Sequence, residues 1–303
     1  MQTQAIDFHP PAEAAATFLL PARSGLFAGR AERFAALAAG HSLGDWLGFL
    51  GQLSRAQEDA LAALPELPLP TSTALELART HGMPLLDPAS RPAAWRDVLR
   101  ELAKALGNAA PPAAPPAARE VLNELCAADA ATLEQLADAL LGGEPERADA
   151  GRLPFVAAAL QVVFTALASR LDASQLQPLD AHGVCPCCGS LPVASTVRLG
   201  TINNLRYLHC ALCNTEWNVP RATCTACDTE QSVALHELEG SKGAVRAETC
   251  DSCKGYLKIV YQEKDPRVDP VADDLATLAL DLLVDEAGYA RSGPNLLLIG
   301  ANA

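Results

Sequence analysis

The chain has 303 residues, of which 50% are hydrophobic, and its formal net charge is −13. This length predicts two or three domains, and the apolar content excludes disorder over the whole chain. The acidic balance disfavours binding to nucleic acid or to anionic lipid, because both repel a polyanion at long range. The longest apolar run, residues 155–168, is shorter than the roughly 20 residues that span a bilayer. We therefore expect no membrane insertion and no nucleic-acid partner.

The first residues lack the basic and apolar segments of a secretory signal. We therefore expect a cytoplasmic protein. A reducing compartment disfavours disulfides, so the ten cysteines of the chain point to metal binding or to redox chemistry.

Residues 1–180 are predicted to form an all-α helical domain, because they are rich in Ala and Leu and their apolar residues recur at helical spacing. Helices are expected to begin after Ser42, after Thr132 as the first residue of a capping box, and around Pro154. The stretch AAPPAAPPAA at residues 109–118 cannot be a continuous helix and is predicted to be an exposed connection.

After Pro178 the pattern changes to short alternating segments between cysteine pairs. Strands are predicted at residues 196–199, 204–208, 215–219, 233–238, 244–248 and 256–261. A helix is then predicted at residues 271–286, with one apolar face formed by Leu275, Leu278, Ala279, Leu282 and Leu283. The result is a multi-domain α+β chain with a helical domain (1–180), two tandem zinc-ribbon β modules (181–221 and 222–264), and a C-terminal acidic helix and tail (265–303).

Eight of the ten cysteines form four C-x2-C pairs. Positions 189–209, which are 21 residues, separate the first two pairs, and positions 228–249, which are 22 residues, separate the last two. A C-x2-C turn directs two sulfurs at one point, and a hairpin of roughly 20 residues brings a second turn opposite it. We therefore predict two sites, the first formed by Cys185, Cys188, Cys210 and Cys213, and the second by Cys224, Cys227, Cys250 and Cys253. Disulfides and dithiol catalysis are the alternatives.

Four further cysteine and histidine side chains need separate interpretations. Cys126 is predicted to be a small core residue, and Cys187 a spare thiol inside the first C-x2-C turn. His182 and His209 neighbour the predicted ligands and could replace one or support it. Four sulfurs leave no open position on a metal, and the sequence contains no phosphate-binding loop or hydrolase motif. We therefore predict that the protein is not an enzyme.

Five segments resemble the FdhE family of formate dehydrogenase accessory proteins. They are CPCCGSLPVAS (185–195), LHCALCNTEW (208–217), RATCTAC (221–227), ETCDSCKGYLK (248–258) and ADDLATL (272–278). The resemblance is specific over about residues 184–295, and Cys187 departs from the family pattern. It implies rubredoxin-like four-Cys iron sites in a protein that acts on the catalytic subunit of formate dehydrogenase before export. The expected cofactors are thus two mononuclear metal ions, with iron favoured and zinc as the alternative.

Five of the residues shared with the family are expected to contact that catalytic subunit, because the turns and strand ends of a ribbon project outward. They are Glu216, Trp217, Arg221, Tyr256 and Lys258. For Trp217 the alternative is that it covers a metal site in the core, and for Tyr256 that it packs against the second site. For Glu216, Arg221 and Lys258 the alternative is that they are solvated charges.

Two classes of function therefore remain open, and the favoured one is a non-enzymatic assembly factor. The alternative is a rubredoxin-like redox carrier, which we disfavour because Gly189 alone among the glycines directly follows a cysteine pair.

Overall fold

The computed structural model describes residues 16–108, 114–143, 146–200 and 204–298. The N-terminal region is helical, as predicted. Its helices are α1 (Leu26–Ala38), α2 (Gly44–Ala63), α3 (Ser72–Thr80), α4 (Trp95–Asn108), α5 (Pro116–Ala127), α6 (Ala130–Gly142) and α7 (Leu153–Ala168). Short 3-10 turns lie at Pro88–Ser90, Arg147–Asp149 and Ala173–Gln175. Within the described ranges no helix is both long and apolar enough to cross a bilayer.

Two of the predicted helix starts are wrong in detail. Asp129, rather than Thr132, caps α6, since its carboxylate accepts the N–H of Thr132 at 2.8 Å. Helix α2 begins after Leu43 without any side-chain cap, so Ser42 does not cap it. Pro154 does occupy the first turn of α7. Of the predicted Pro-rich connection, residues 109–113 lie outside the described residues.

Helix α7 is the centre of the helical layer, and all of its residues except Pro154 are buried. This explains the long apolar run in the sequence, because a helix surrounded on every side needs no polar face. Its two buried polar residues are both hydrogen-bonded. Gln161 accepts a bond from Gln57 at 3.1 Å and donates one to the carbonyl of Ala211 at 2.8 Å, and Thr165 accepts one from Asn214 at 2.8 Å.

The C-terminal half is built on one eight-stranded sheet. Its strands are β1 (Phe18–Leu19), β2 (Pro192–Arg198), β3 (Leu205–Cys210), β4 (Glu216–Val219), β5 (Val233–His236), β6 (Val245–Cys250), β7 (Gly255–Tyr261) and β8 (Ala290–Arg291). The order is β1-β4-β3-β2-β7-β6-β5, and β8 pairs with β7. Strands β2 to β4 form the first ribbon and β5 to β7 the second.

The two ribbons share this sheet because β2 and β7 pair in parallel, with Ser195 opposite Ile259 and Val197 opposite Tyr261. The helical half contributes β1, in which Phe18 lies opposite Trp217 on the outer side of β4. The helices and the first ribbon also bury their apolar residues in a single contiguous core. The helical layer and the first ribbon are therefore tightly packed together.

The predicted C-terminal helix is divided into α8 (Pro270–Leu275) and α9 (Leu278–Glu286). The interruption rotates α9, so that Leu280 and Val284 are its buried residues. The apolar face predicted for a continuous helix is therefore wrong at three positions, since Ala279 is exposed, Leu282 is 66% exposed and Leu283 is 53% exposed. Helix α8 keeps the predicted orientation, with Leu275 fully buried.

Candidate metal centres

The C-x2-C turns share a backbone feature directly after their second cysteine. The residue there has a left-handed conformation in all four turns, with φ between 57° and 77°, at Gly189, Asn214, Asp228 and Lys254. In three turns the N–H of that residue donates to the carbonyl of the first cysteine at 2.8–2.9 Å. Asparagine, aspartate and lysine therefore take a conformation that glycine adopts without strain. The absence of glycine after three of the pairs is thus no reason to disfavour a redox carrier.

The eight paired cysteines form two clusters, each combining the turns that the repeat predicted. Within each cluster the four sulfurs lie within 4.8 Å of one another. In the first, Sγ–Sγ distances are 3.7 Å for Cys185 and Cys213 and 3.4 Å for Cys188 and Cys210. In the second, they are 3.7 Å for Cys224 with Cys253 and for Cys227 with Cys250.

These distances fit a tetrahedral ion well. Four metal–sulfur bonds of about 2.3 Å require sulfurs about 3.8 Å apart. A disulfide requires about 2.05 Å, and all ten cysteines of the chain are free thiols in the structure. Each cluster could therefore hold one metal ion, and the donor set suits zinc or a single iron equally.

The first site is enclosed by protein. All four of its cysteines are buried. The turn that carries Cys210 and Cys213 is held through Asn214, which accepts a hydrogen bond from Arg30 of α1 at 3.0 Å. Burial raises the pKa of the thiols of Cys185 and Cys210 well above the ordinary value. Burial also opposes ionisation of Cys213, but hydrogen bonds with the neighbouring cysteines lower its pKa well below the ordinary value, so this thiol ionises more readily than those of Cys185 and Cys210.

The histidines next to the predicted ligands do not belong to either four-sulfur cluster. His209 is buried, with Nδ1 3.1 Å from Glu216 and Nε2 3.0 Å from Asn214. It thus supports the turn of the first site, one of the two roles that the sequence left open. His182 is exposed and lies 3.1 Å from Asp228, beside the second site.

The two remaining cysteines also lie outside the clusters. Cys187 is fully buried within the first C-x2-C turn, and its carbonyl accepts the N–H of Leu86 at 2.8 Å. A hydrogen bond with Cys213 and burial raise the pKa of the Cys187 thiol well above the ordinary value. Cys126 is half-buried and packs against the helical core.

The second site lies at the surface. Cys224 and Cys250 are buried, whereas Cys227 and Cys253 are exposed. Burial raises the pKa of the Cys224 thiol to about 12. At Cys250 burial also opposes ionisation, but hydrogen bonds from the N–H groups of Cys253 and Ser252 lower the pKa to about 7. Cys250 is thus poised to ionise near neutral pH, as a metal ligand must.

The five residues predicted to contact a partner divide into one exposed and four buried side chains. Arg221 is exposed. Glu216, Trp217, Tyr256 and Lys258 are buried, with exposed fractions of 7%, 4%, 5% and 0%.

Each of the four buried side chains has partners inside the chain. Trp217 donates its indole N–H to the carbonyl of His182 at 2.9 Å, which supports the alternative of core cover. Glu216 accepts hydrogen bonds from Arg198 at 2.7 and 2.8 Å. Tyr256 donates to Asp281 at 2.8 Å, and Lys258 also pairs with Asp281. Contact of these four residues with a partner stays a prediction.

Sequence reasoning missed the buried ionic contacts that connect α1 to α8. Arg30 pairs with Asp269 at 3.1 Å, and Arg33 pairs with Asp273 at 2.5 Å. An arginine on a predicted helix is expected at the surface, so the sequence does not indicate that these residues form buried ion pairs.

The chain is similar to one family over most of its length. Residues 15–181, 184–221 and 222–298 match the models described as "FdhE, N-terminal", "FdhE, central domain" and "FdhE, C-terminal domain". "Protein FdhE homolog" of Edwardsiella ictaluri (strain 93-146) is 41% identical over 286 residues, which cover 93% of this chain and 91% of that protein. "Protein FdhE" of Escherichia coli (strain SMS-3-5 / SECEC) is 39% identical over 285 residues, with coverages of 92% and 90%. The crystal structure of the FdhE protein from Pseudomonas aeruginosa is similar with a TM-score of 0.83 and 37% identity, covering 93% of this chain and 99% of that one.

Proposed function

Because the chain belongs to the FdhE family, we propose that it is an accessory factor required for the formation of active formate dehydrogenase. In this role it binds the catalytic subunit of that enzyme in the cytoplasm, before the subunit is exported. The observation that carries the proposal is the presence of two assembled four-sulfur clusters on the scaffold of this family. Four sulfurs fill a tetrahedral coordination shell, so such sites are suited to stabilising a surface rather than to converting a substrate.

The cofactors in this proposal are two mononuclear metal ions, with iron favoured and zinc as the alternative. Elemental analysis of the purified chain should then give about two ions per molecule. Cys210→Ser should lower this to about one, because the two clusters share no sulfur. Cys126→Ser is the matched control and should keep both ions, since Cys126 belongs to neither cluster. A single ion in the unaltered chain, or inorganic sulfide with it, would contradict the proposal.

The assembly role is tested by deletion and by co-purification. A strain without the gene should lack formate dehydrogenase activity, and the unaltered chain should restore it. The tagged chain should also capture the catalytic subunit from a cytoplasmic extract. Full activity in the deletion strain would refute the assembly role.

Among the residues proposed to contact the partner, Arg221 is the one that the folded chain exposes. Arg221→Glu should reduce capture of the catalytic subunit and leave the metal content unchanged. Lys242→Glu makes the same change of charge at an exposed position of the second ribbon, away from Arg221 in the sequence, and should have no effect on capture. If Arg221→Glu captured the catalytic subunit as well as Lys242→Glu does, Arg221 would not belong to the docking surface. For the four buried residues, contact with a partner would require the segments that cover them, such as α8 and α9 over Lys258, to move away.

A redox carrier is the second candidate function. Two observations favour it, the common shape of the four C-x2-C turns and the exposure of Cys227 and Cys253 at the second site. It would replace the first proposal if the deletion strain kept its formate dehydrogenase activity and the iron-loaded chain showed reversible reduction.

A further inference from the structure

The two four-sulfur clusters differ in how far solvent can reach their sulfurs. Cys185, Cys188, Cys210 and Cys213 of the first site have exposed fractions of 0%, 1%, 0% and 0%. The second site has one exposed cysteine in each of its two turns, Cys227 in one and Cys253 in the other. An incoming ligand can therefore approach the second cluster from both turns.

The first site is covered by the helical layer through direct contacts. The amide of Gln161, on the central helix α7, donates to the carbonyl of Ala211 between the cysteines of one turn. The other turn is held from the segment after α3, where the N–H of Leu86 donates to the carbonyl of Cys187 at 2.8 Å. A Cβ built on Gly189 would lie 3.2 Å from the Pro84 ring, so this turn is tightly covered as well.

The second site is held by contacts at the surface. The turn Asp251 to Lys254 is exposed throughout. Its side-chain contacts are the pair of Lys254 with Asp251 at 2.7 Å and the hydrogen bond from Tyr289 to Asp251 at 3.0 Å. The opposite turn is contacted by His182, through its 3.1 Å pair with Asp228. Exposed pairs of this kind add little stability, but the backbone also fastens these turns. The N–H of Asp251 donates to the carbonyl of Ser232 at 2.9 Å, and a Cβ on Gly183 would lie 2.1 Å from the carbonyl oxygen of Thr225. The second site therefore differs from the first in the exposure of two of its sulfurs and not in a lack of backbone contacts.

We propose that the second site is the point at which this protein takes up and gives away a metal ion, whereas the first site retains its ion. This inference rests on the proposed binding of two ions. The exchange partner is a dithiol, because thiolates compete with thiolates for a soft or borderline ion. In each step one thiol of the dithiol loses its proton and its sulfur bonds to the ion, while the sulfur of Cys253 or Cys227 leaves and takes up a proton. No oxidation state changes.

The test uses the full chain loaded with two zinc ions and the dithiol chelator 2,3-dimercaptopropanesulfonate in excess. Native mass spectrometry follows the fractions of chains that hold two, one or no ions. We expect the first ion to leave at least about 100-fold faster than the second, because the buried sulfurs become reachable only after a local opening.

The site that loses its ion first is then identified on the unaltered chain. When one ion has left, the free thiols are alkylated with iodoacetamide and identified by peptide mapping. Apart from the half-buried free thiol of Cys126, the label should appear on Cys224, Cys227, Cys250 and Cys253, with the cysteines of the first site protected. Gln161→Met should accelerate loss of the slow ion and leave the fast one unchanged, because it removes a contact of the first site alone.

The possible results distinguish failure of this inference from failure of the proposed binding of two ions. A chain that binds no ions overturns both. A chain that binds two ions and releases them at equal rates, or that is alkylated first at Cys185, Cys188, Cys210 and Cys213, overturns the inference alone.

Discussion

Replacing Lys258 by alanine should destabilise the protein strongly, although the sequence suggests a surface residue. Lys258 lies on β7 and is 0% exposed. Its ammonium group donates to the carbonyls of Asp274 and Thr277 at 2.7 and 3.1 Å and pairs with the carboxylate of Asp281. These contacts fasten the end of α8 and the start of α9 to the sheet.

The expected loss of stability depends on which partners the buried carboxylates keep when the Lys258 ammonium is removed. Removing one partner of a buried ion pair costs about 3–5 kcal/mol. Asp281 would keep Arg291 at 3.1 Å and Tyr256 at 2.8 Å as partners. The carboxylate of Asp274, which lies 3.2 Å from the Lys258 ammonium, would keep Arg291 and Asn295, both at 2.8 Å. The loss should therefore lie at the lower end, at about 3 kcal/mol. At about 2 °C per kcal/mol for a chain of 303 residues, the melting temperature should fall by about 6 °C.

Differential scanning calorimetry of the metal-loaded chain measures this shift. Lys104→Ala is the matched control, because Lys104 is 62% exposed and pairs with an equally exposed Glu101 on a helix surface. That variant should melt with the unaltered protein, since exposed pairs add little. If Lys258→Ala also melted with the unaltered protein and lost only the capture of formate dehydrogenase, Lys258 would be a docking residue and the buried arrangement would be wrong.

Three further predictions concern packing and pH. Trp217→Ala should lower the free energy of unfolding by about 3–5 kcal/mol in denaturant titrations, because the indole ring fills a buried space. Trp217→Phe should lower it by less. An alanine variant as stable as the unaltered chain would instead favour a role of Trp217 in docking. Gly183→Ala should lower the melting temperature, since the added Cβ would lie 2.1 Å from the carbonyl oxygen of Thr225. Gly48→Ala, which meets nothing within 4 Å inside α2, should raise stability by about 0.5–1 kcal/mol. Burial opposes ionisation of Glu216, but hydrogen bonds with His209 and Arg198 lower its pKa from 4.5 to about 2. The stabilisation of the folded chain by ionised Glu216 is therefore complete above pH 4.5 and is lost as the pH falls toward 2. The difference in unfolding free energy between the unaltered chain and Glu216→Gln should therefore shrink below pH 4.5, and a difference that stays constant down to pH 3 would contradict this assignment.

The sequence predicted the two ribbons well because cysteine pairs mark their turns and alternation marks their strands. Five of the six predicted strands overlap the observed ones within two residues at each end, for example residues 256–261 against Gly255–Tyr261. The pairing of β2 with β7 could not be predicted, because a parallel contact between distant strands leaves no local pattern. The two-residue strand β1 is likewise too short to produce an alternating signal.

The buried charges show a second limit of sequence reasoning. Arginine, glutamate and lysine are usually surface residues, but Arg30, Glu216 and Lys258 are buried here, each with a charged partner from another part of the fold. Ion pairs of this kind can be identified only from the folded structure, which brings the two side chains together. The division between α8 and α9 was missed for a related reason, since neither Ala276 nor Thr277 is a residue that interrupts a helix by its own chemistry.

The pairing of β1 with β4 has a consequence for the order in which the chain folds during synthesis. Phe18 leaves the ribosome 199 residues before its partner Trp217. At about 5–20 residues per second this is a delay of about 10–40 s, during which β1 has no strand to join. Helix α7 emerges within that delay, and the ribbon that covers its carboxyl-terminal half has not yet been made. The nascent chain therefore exposes the face of α7 that the first ribbon later covers, and conditions that slow translation should make aggregation of this protein more frequent.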